Sequence, residues 1–130
     1  MTRGLLKSLL VTPSSQSFHI EAVDGASGAK ILKLFGPLTI QTLFDFQQMV
    51  REETAKPIIV DISQVPYMDS AGLGCVVSAY TSCQRNQRAF GITGISERIR
   101  TLFAVTHVDG LLPCFDSLEA AEAAVKNSVR

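Results

Sequence analysis

The stretch VDISQVPYMDSAGLG, residues 60–74, decides how the fold is read, because it joins an apolar β-branched run to the start of a helical pattern. Just before it, Ile58, Ile59 and Val60 follow Pro57 with no polar residue among them, as expected of a central strand buried on both faces. Just after it begins a second periodicity. Leu73, Val76, Val77, Tyr80 and Cys83 fall at i, i+3, i+4, i+7 and i+10, one apolar stripe on a helix of about four turns from near Ser70 to near Asn86. The stretch is therefore a strand-to-helix connection.

Working outward, Phe18, Ile20 and Ala22 alternate with His19 and Glu21, the period of a half-buried strand. Residues 24–28 supply turn chemistry, and residues 29–35 form a second extended run, so the two pair as an antiparallel hairpin stopped by Gly36 and Pro37. From residue 39 to 53, Ile40, Leu43, Phe44, Phe46, Met49 and Val50 recur at helical spacing, with Thr39 placed to cap. Downstream, residues 89–93 read as a strand and residues 96–105 as a helix with Ile99, Leu102 and Phe103 inward. Residues 111–115 read as a short final strand, and Asp116 with Glu119 makes a capping box for a last helix through Val125. The order β-β-α-β-α-β-α-β-α predicts a single α/β domain: a mixed, mostly parallel sheet with an N-terminal hairpin, covered by about four helices.

Composition agrees with one soluble core. The chain has 130 residues, 46% of them hydrophobic and 18% charged, enough for one domain and too few for two ordinary ones. Its formal net charge of zero gives no bulk attraction for nucleic acid or an anionic membrane. The apolar runs fall far below the roughly 20 residues that span a bilayer. Residues 1–17 read as a flexible arm preceding a domain at 18–130. Its Leu5, Leu6, Leu9, Leu10 and Val11 are interrupted by Lys7, and no small-x-small site follows them as in a signal peptide. The three cysteines are an odd number without a CxxC pair, which argues for small core or surface residues in a reducing cytoplasm.

In an α/β sheet of this order, ligands and partners meet the carboxyl ends of strands and the amino ends of the following helices. Ser70 belongs there, where unpaired N–H groups and the helix dipole accommodate an anion, and either Asp69 or Ser70 is placed to cap the helix. Gly72 and Gly74 are locally wasteful, since a glycine in a helix costs about 1 kcal/mol relative to alanine. Two causes fit them: close packing on the sheet, or an external backbone, helix or ligand that must approach Ser70. Taken alone, a serine after an aspartate at a helix start is most often a plain cap.

Catalytic readings fare worse. A hydrolase elbow needs Gly-x-Ser-x-Gly, but Met68 holds the first glycine position and no triad order accompanies it. A dinucleotide fingerprint fails because Val77 stands where the third glycine belongs. His19 and His107 are isolated, and no spacing of carboxylates and histidines suggests a metal. No enzyme, metal or cofactor is expected.

The stretch resembles the signature of STAS domains, specifically the bacterial anti-sigma factor antagonists. That signature is an Asp-x-Ser at a strand end, a spacer, and Asp-Ser-x-Gly-x-Gly at a helix start, here Asp61, Ser63, Asp69, Ser70, Gly72 and Gly74. The resemblance runs from about residue 18 to 125 and includes the Gly-Pro-Leu at 36–38 and the Phe-Asp-Ser-Leu-Glu-Ala-Ala ending, while Thr39 stands where many members carry an aspartate. It implies that Ser70 is the phosphoacceptor of a kinase that is also an anti-sigma factor. The unphosphorylated antagonist binds that kinase and frees a sigma factor; phosphorylation breaks the complex, and a phosphatase resets it. It also implies that Asp69 caps the helix or orients the kinase nucleotide, and that Asp61 and Ser63 support the loop. The contact surface would join residues 63–69 to Ser78, Thr81 and Arg85, with room for a weak homodimer and no direct contact with nucleic acid or membrane. The alternative is a STAS module that binds a ligand or serves a transport system without a sigma factor.

Overall fold

The computed structural model describes residues 17–128. The expected arm therefore lies outside the described residues, apart from Ser17. Five strands form one sheet in the order β1-β2-β3-β4-β5. They are β1 (His19–Asp24), β2 (Lys30–Phe35), β3 (Ile58–Gln64), β4 (Phe90–Thr93) and β5 (Cys114–Phe115). The first two pair antiparallel, with His19 opposite Phe35 and Asp24 opposite Lys30. The remaining pairs are parallel. Four helices alternate with them: α1 (Leu43–Glu52), α2 (Ser70–Arg85), α3 (Glu97–Val105) and α4 (Leu118–Ser128). The hairpin, the mixed sheet and the element order are those expected.

The strand order determines where the helices go. Each parallel strand is added on the same side of its predecessor, so three crossovers of one hand deliver α1, α2 and α3 to the same face of the sheet. Leu43, Phe46 and Val50 of α1, Leu73, Val76 and Cys83 of α2, and Ile99 and Phe103 of α3 pack there against Leu32, Leu34, Ile58, Val60 and Ile92. The opposite face holds a smaller cluster in which Ala121 and Val125 of α4 meet Ala29, Ile31 and Ile59. Neighbours Ile58 and Ile59 thus enter different clusters and are fully buried, as a polar-free central strand requires. All three crossover helices consequently start at the carboxyl edge of the sheet.

Several local expectations needed correction. The first helix starts at Leu43, not Thr39, with Thr42 at its boundary. The Thr42 hydroxyl donates to the Pro37 carbonyl at 2.7 Å and accepts the Thr39 N–H at 2.8 Å, holding residues 37–42 in a turn before the helix begins. Ile40 falls in this turn and Phe44 lies off the face of α1 that buries Leu43, Phe46 and Val50, so they are 59% and 69% exposed rather than in the core. In α2 the buried positions include Cys75 and Ala79, while Val77 and Tyr80 are only half-buried. Ala22 is exposed and Leu102 half-buried. The final strand is shorter than residues 111–115, and the last helix is capped by Ser117, whose hydroxyl accepts the Ala120 N–H at 3.0 Å, rather than by Asp116.

Candidate functional site

The site lies where β3 hands over to α2. Ser70 is the first residue of α2 and is exposed, while Asp69 is its N-cap. One Asp69 oxygen, Oδ1, accepts the Gly72 N–H at 2.8 Å, and the other, Oδ2, accepts the Ile40 N–H at 3.1 Å. A single carboxylate therefore satisfies an orphan donor of α2 and also ties the turn before α1 to the start of α2. That settles which of the two candidates caps the helix. Among the described residues the Ser70 hydroxyl makes no hydrogen bond, so it remains free at a helix amino terminus.

The backbone on either side is held in the same way. Leu38 and Met68 form an isolated parallel bridge. The Leu38 N–H donates to the Tyr67 carbonyl at 3.2 Å, and the Asp69 N–H donates to the Leu38 carbonyl at 3.3 Å. Residues 37–42 and 67–69 thus form one platform beneath Ser70.

The two glycines separate cleanly. A Cβ on Gly72 would run into the Leu38 carbonyl, so this glycine is required by the close approach of the platform to α2. Gly74 is exposed, and a Cβ there would meet nothing within 4 Å. Internal packing explains the first and not the second.

Asp61 and Ser63 sit at the carboxyl end of β3. Asp61 Oδ1 accepts the Ser63 N–H at 3.0 Å, and Ser63 is exposed. Asp61 pairs with Thr93 of β4, and Gly94 follows at φ +82°. A Cβ on Gly94 would crowd both Ser63 and the Asp61 carboxylate, so this glycine is needed for its left-handed backbone and for space. Gly94 was not singled out in the sequence, although a glycine directly after a strand is a turn signal. Nor did the sequence reveal that Arg98, at the start of α3, lies 5.3 Å above the Tyr67 ring, a cation-π contact between elements that carries no local signature. Ser78, Thr81 and Arg85 are exposed on α2. Ser78 also borders a groove of about 150 Å³ between α1 and α2, lined by Phe46, Val50, Arg51, Cys75 and Ser82 among others.

Among the described residues there is no group of three or more histidine, cysteine or acidic side chains placed to hold a metal, and no helix long and apolar enough to cross a membrane. The thiols are not activated either. Burial pushes the Cys75 thiol up to about 11 and raises Cys83 and Cys114 above the usual range.

A family model described as the STAS domain matches residues 20–121. The chain belongs to the STAS domain family. It is 31% identical over 84 residues to an anti-sigma-B factor antagonist of Staphylococcus aureus, a match that takes in 62% of this chain and 78% of the relative. Among solved structures, an anti-sigma factor antagonist from Mycobacterium paratuberculosis superposes with a TM-score of 0.76 at 22% identity, covering 90% of this chain and 99% of the other. A sulfate transporter family protein from Wolinella succinogenes shares the fold with a TM-score of 0.63 at 22% identity, over 82% of this chain and 90% of the other. The α/β architecture, with an antiparallel hairpin leading into a parallel sheet, is thus the fold of this STAS chain.

Proposed function

We propose that the protein is a cytoplasmic anti-sigma factor antagonist that binds an anti-sigma factor kinase when Ser70 is unmodified and is released when that kinase phosphorylates Ser70. The supporting observation is the exposed Ser70 hydroxyl, free at the start of α2 because Asp69 alone does the capping. The likeness to the staphylococcal antagonist points the same way. The protein does no chemistry on its own account. Its role is to present Ser70 on a rigid platform, and a phosphatase restores the hydroxyl.

The switch follows from local electrostatics. Phosphorylation adds about −1.5 to −2 charges and three acceptors, and α2 needs no refolding to receive them, because its amino terminus favours an anion. Against a docked partner the same charge must be desolvated beside Asp69. A penalty of about 3 kcal/mol weakens binding by more than about 100-fold, enough to empty the complex. Asp61 and Ser63 hold the neighbouring strand end, and open space over Gly74 lets a partner backbone approach α2.

The test uses wild type, Ser70→Ala and Ser70→Asp as baits in lysate of the native bacterium, with bound proteins and phosphopeptides read by mass spectrometry. An ATP-using anti-sigma kinase retained by wild type and alanine but lost with aspartate, with phosphate on Ser70, supports the reading. Identical partners for all three baits would sink it. The likeness to a transporter-family fold motivates the second reading, a transport-associated module, and it gains if those shared partners are transport proteins.

A further inference from the structure

The two edges of the sheet are built differently. β5 is an edge of two residues, whereas β1 is an edge of six, and among the described residues no strand pairs with its outer side. Every side chain of β1 except the half-buried Ile20 is exposed. Natural edges are commonly protected by a short strand, a bulge, a proline or a lysine. β1 has none of these: its register with β2 runs unbroken from His19 to Asp24, and its sequence is HIEAVD. Its two carboxylates are unequally engaged. Asp24 lies 3.3 Å from the Lys30 ammonium and 3.0 Å from that of Lys56, while the Glu21 carboxylate lies 3.7 Å from the His19 imidazole.

A second copy of the chain fits this edge in one register. A two-fold axis normal to the sheet keeps like faces together, so residues opposed across it must both be even-numbered or both odd-numbered. Phe18 and Ile20 pack toward the three-helix core, and Ala22, opposite Leu32, shares that face. His19, Glu21 and Val23 lie on the other face. Centring the pair on Glu21 sets two carboxylates directly against each other. Centring it on Ala22 sets Ile20 against Asp24 and Glu21 against Val23, and centres nearer Asp24 run into the turn that Gly25 closes with Ala29. Centring it on Ile20 matches both faces. Ile20 then meets Ile20 and Phe18 meets Ala22 on the helix side, while His19 of each copy meets Glu21 of the other on the opposite side.

We propose that β1 pairs antiparallel with β1 of a second copy, centred on Ile20, joining two five-stranded sheets into one continuous sheet. From Phe18 to Ala22 the edge is complementary to itself: apolar side chains face apolar ones, and an imidazole N–H faces a carboxylate. Like charges directly opposed across strands are destabilising, which selects this register over the one centred on Glu21. The pairing draws on no part of the partner-switching function proposed above, which concerns Ser70 and α2.

Sedimentation equilibrium of the full chain, at concentrations up to about 0.2 mM where a weak interface is populated, measures the association directly. Wild type should reach the mass of a dimer and no higher, since an isologous pairing of this edge closes on itself. Ala22→Lys changes an exposed side chain and leaves the fold intact, but it sets an ammonium against Phe18 of the other copy. It should weaken self-association by at least about tenfold. His19→Glu, which opposes carboxylate to carboxylate, should weaken it by about tenfold as well. Exchanging the two residues, His19→Glu with Glu21→His, restores the opposed charges and should return the affinity to within about twofold of wild type.

A wild type that stays monomeric throughout overturns the proposal. So does a dimer that Ala22→Lys leaves unchanged, because the copies then meet elsewhere than β1. Stronger association of Glu21→Gln than of wild type, or no recovery in the exchanged chain, overturns the register centred on Ile20.

Discussion

Gly72 and Gly74, two residues apart on α2, do different jobs, and alanine at each position separates them. At Gly72 the added methyl meets the Leu38 carbonyl, a backbone atom fixed by its bond to the Asp69 N–H. Overpacking of this sort costs about 1–3 kcal/mol and outweighs the roughly 1 kcal/mol that alanine gains in helix propensity. Gly72→Ala should therefore lower stability in urea denaturation. At Gly74 the methyl enters open space, so Gly74→Ala should raise stability by about 0.5–1 kcal/mol in the same measurement. A long side chain there, as in Gly74→Lys, should raise the denaturation midpoint much as alanine does but abolish capture of the proposed kinase. A Gly74→Lys chain that still captures the kinase normally would show that no partner approaches this turn of α2.

The amino terminus of α2 is tied to the turn before α1 through Asp69, and substitutions at that residue divide the two bonds. Asp69→Ala removes both and should cost about 1–2 kcal/mol, the usual value of a lost cap together with a second charge-assisted bond. Asp69→Asn keeps one oxygen for the Gly72 N–H but turns an amide donor toward the Ile40 N–H. Its stability should fall between wild type and alanine, while amide exchange at Ile40 accelerates as fully as in alanine. If Ile40 exchange is unchanged in both variants, the carboxylate does not hold that turn. This link is also where the sequence stopped being informative. The strand-to-helix motif, the hairpin and the element order were legible because apolar periodicity reports burial directly. The start of α1 was not, because Ile40 keeps helical spacing with Leu43 and Phe44 while the Thr42 hydroxyl holds the chain in a turn through residue 42. The same limit applies to the site. Asp61, Ser63, Asp69, Ser70, Gly72 and Gly74 were visible as a motif, but which aspartate oxygen meets which N–H depends on a segment about 30 residues away, beyond any local pattern.

At the scale of the whole molecule, three helices on one face and one on the other leave the thiols inside or half-inside the fold, and this gives stability a sign at alkaline pH. Cys75 and Cys83 are buried and Cys114 is half-buried; all are free. Desolvation disfavours each thiolate, raising Cys75 to about 11 despite the opposing pull of Arg51 and shifting Cys83 and Cys114 in the same direction. An unfolded thiol titrates near pH 8.5, so above that pH the unfolded chain has lost protons that the native chain still holds. The unfolded state then binds fewer protons, and stability must fall as pH rises from about 8.5 toward 11, by at most about 1.4 kcal/mol per pH unit for each thiol. Urea denaturation at pH 7.5, 8.5 and 9.5 should show this decline. Cys75→Ala, although less stable throughout for the cavity it leaves, should show a shallower one. A thiol reagent at pH 8 should label the buried Cys75 and Cys83 only as fast as the protein opens, and label them promptly in denaturant. If Cys75 reacts at once in the native chain, its burial against α1 is wrong, and with it the packing that sets α1 and α2 side by side beneath the Ser70 platform.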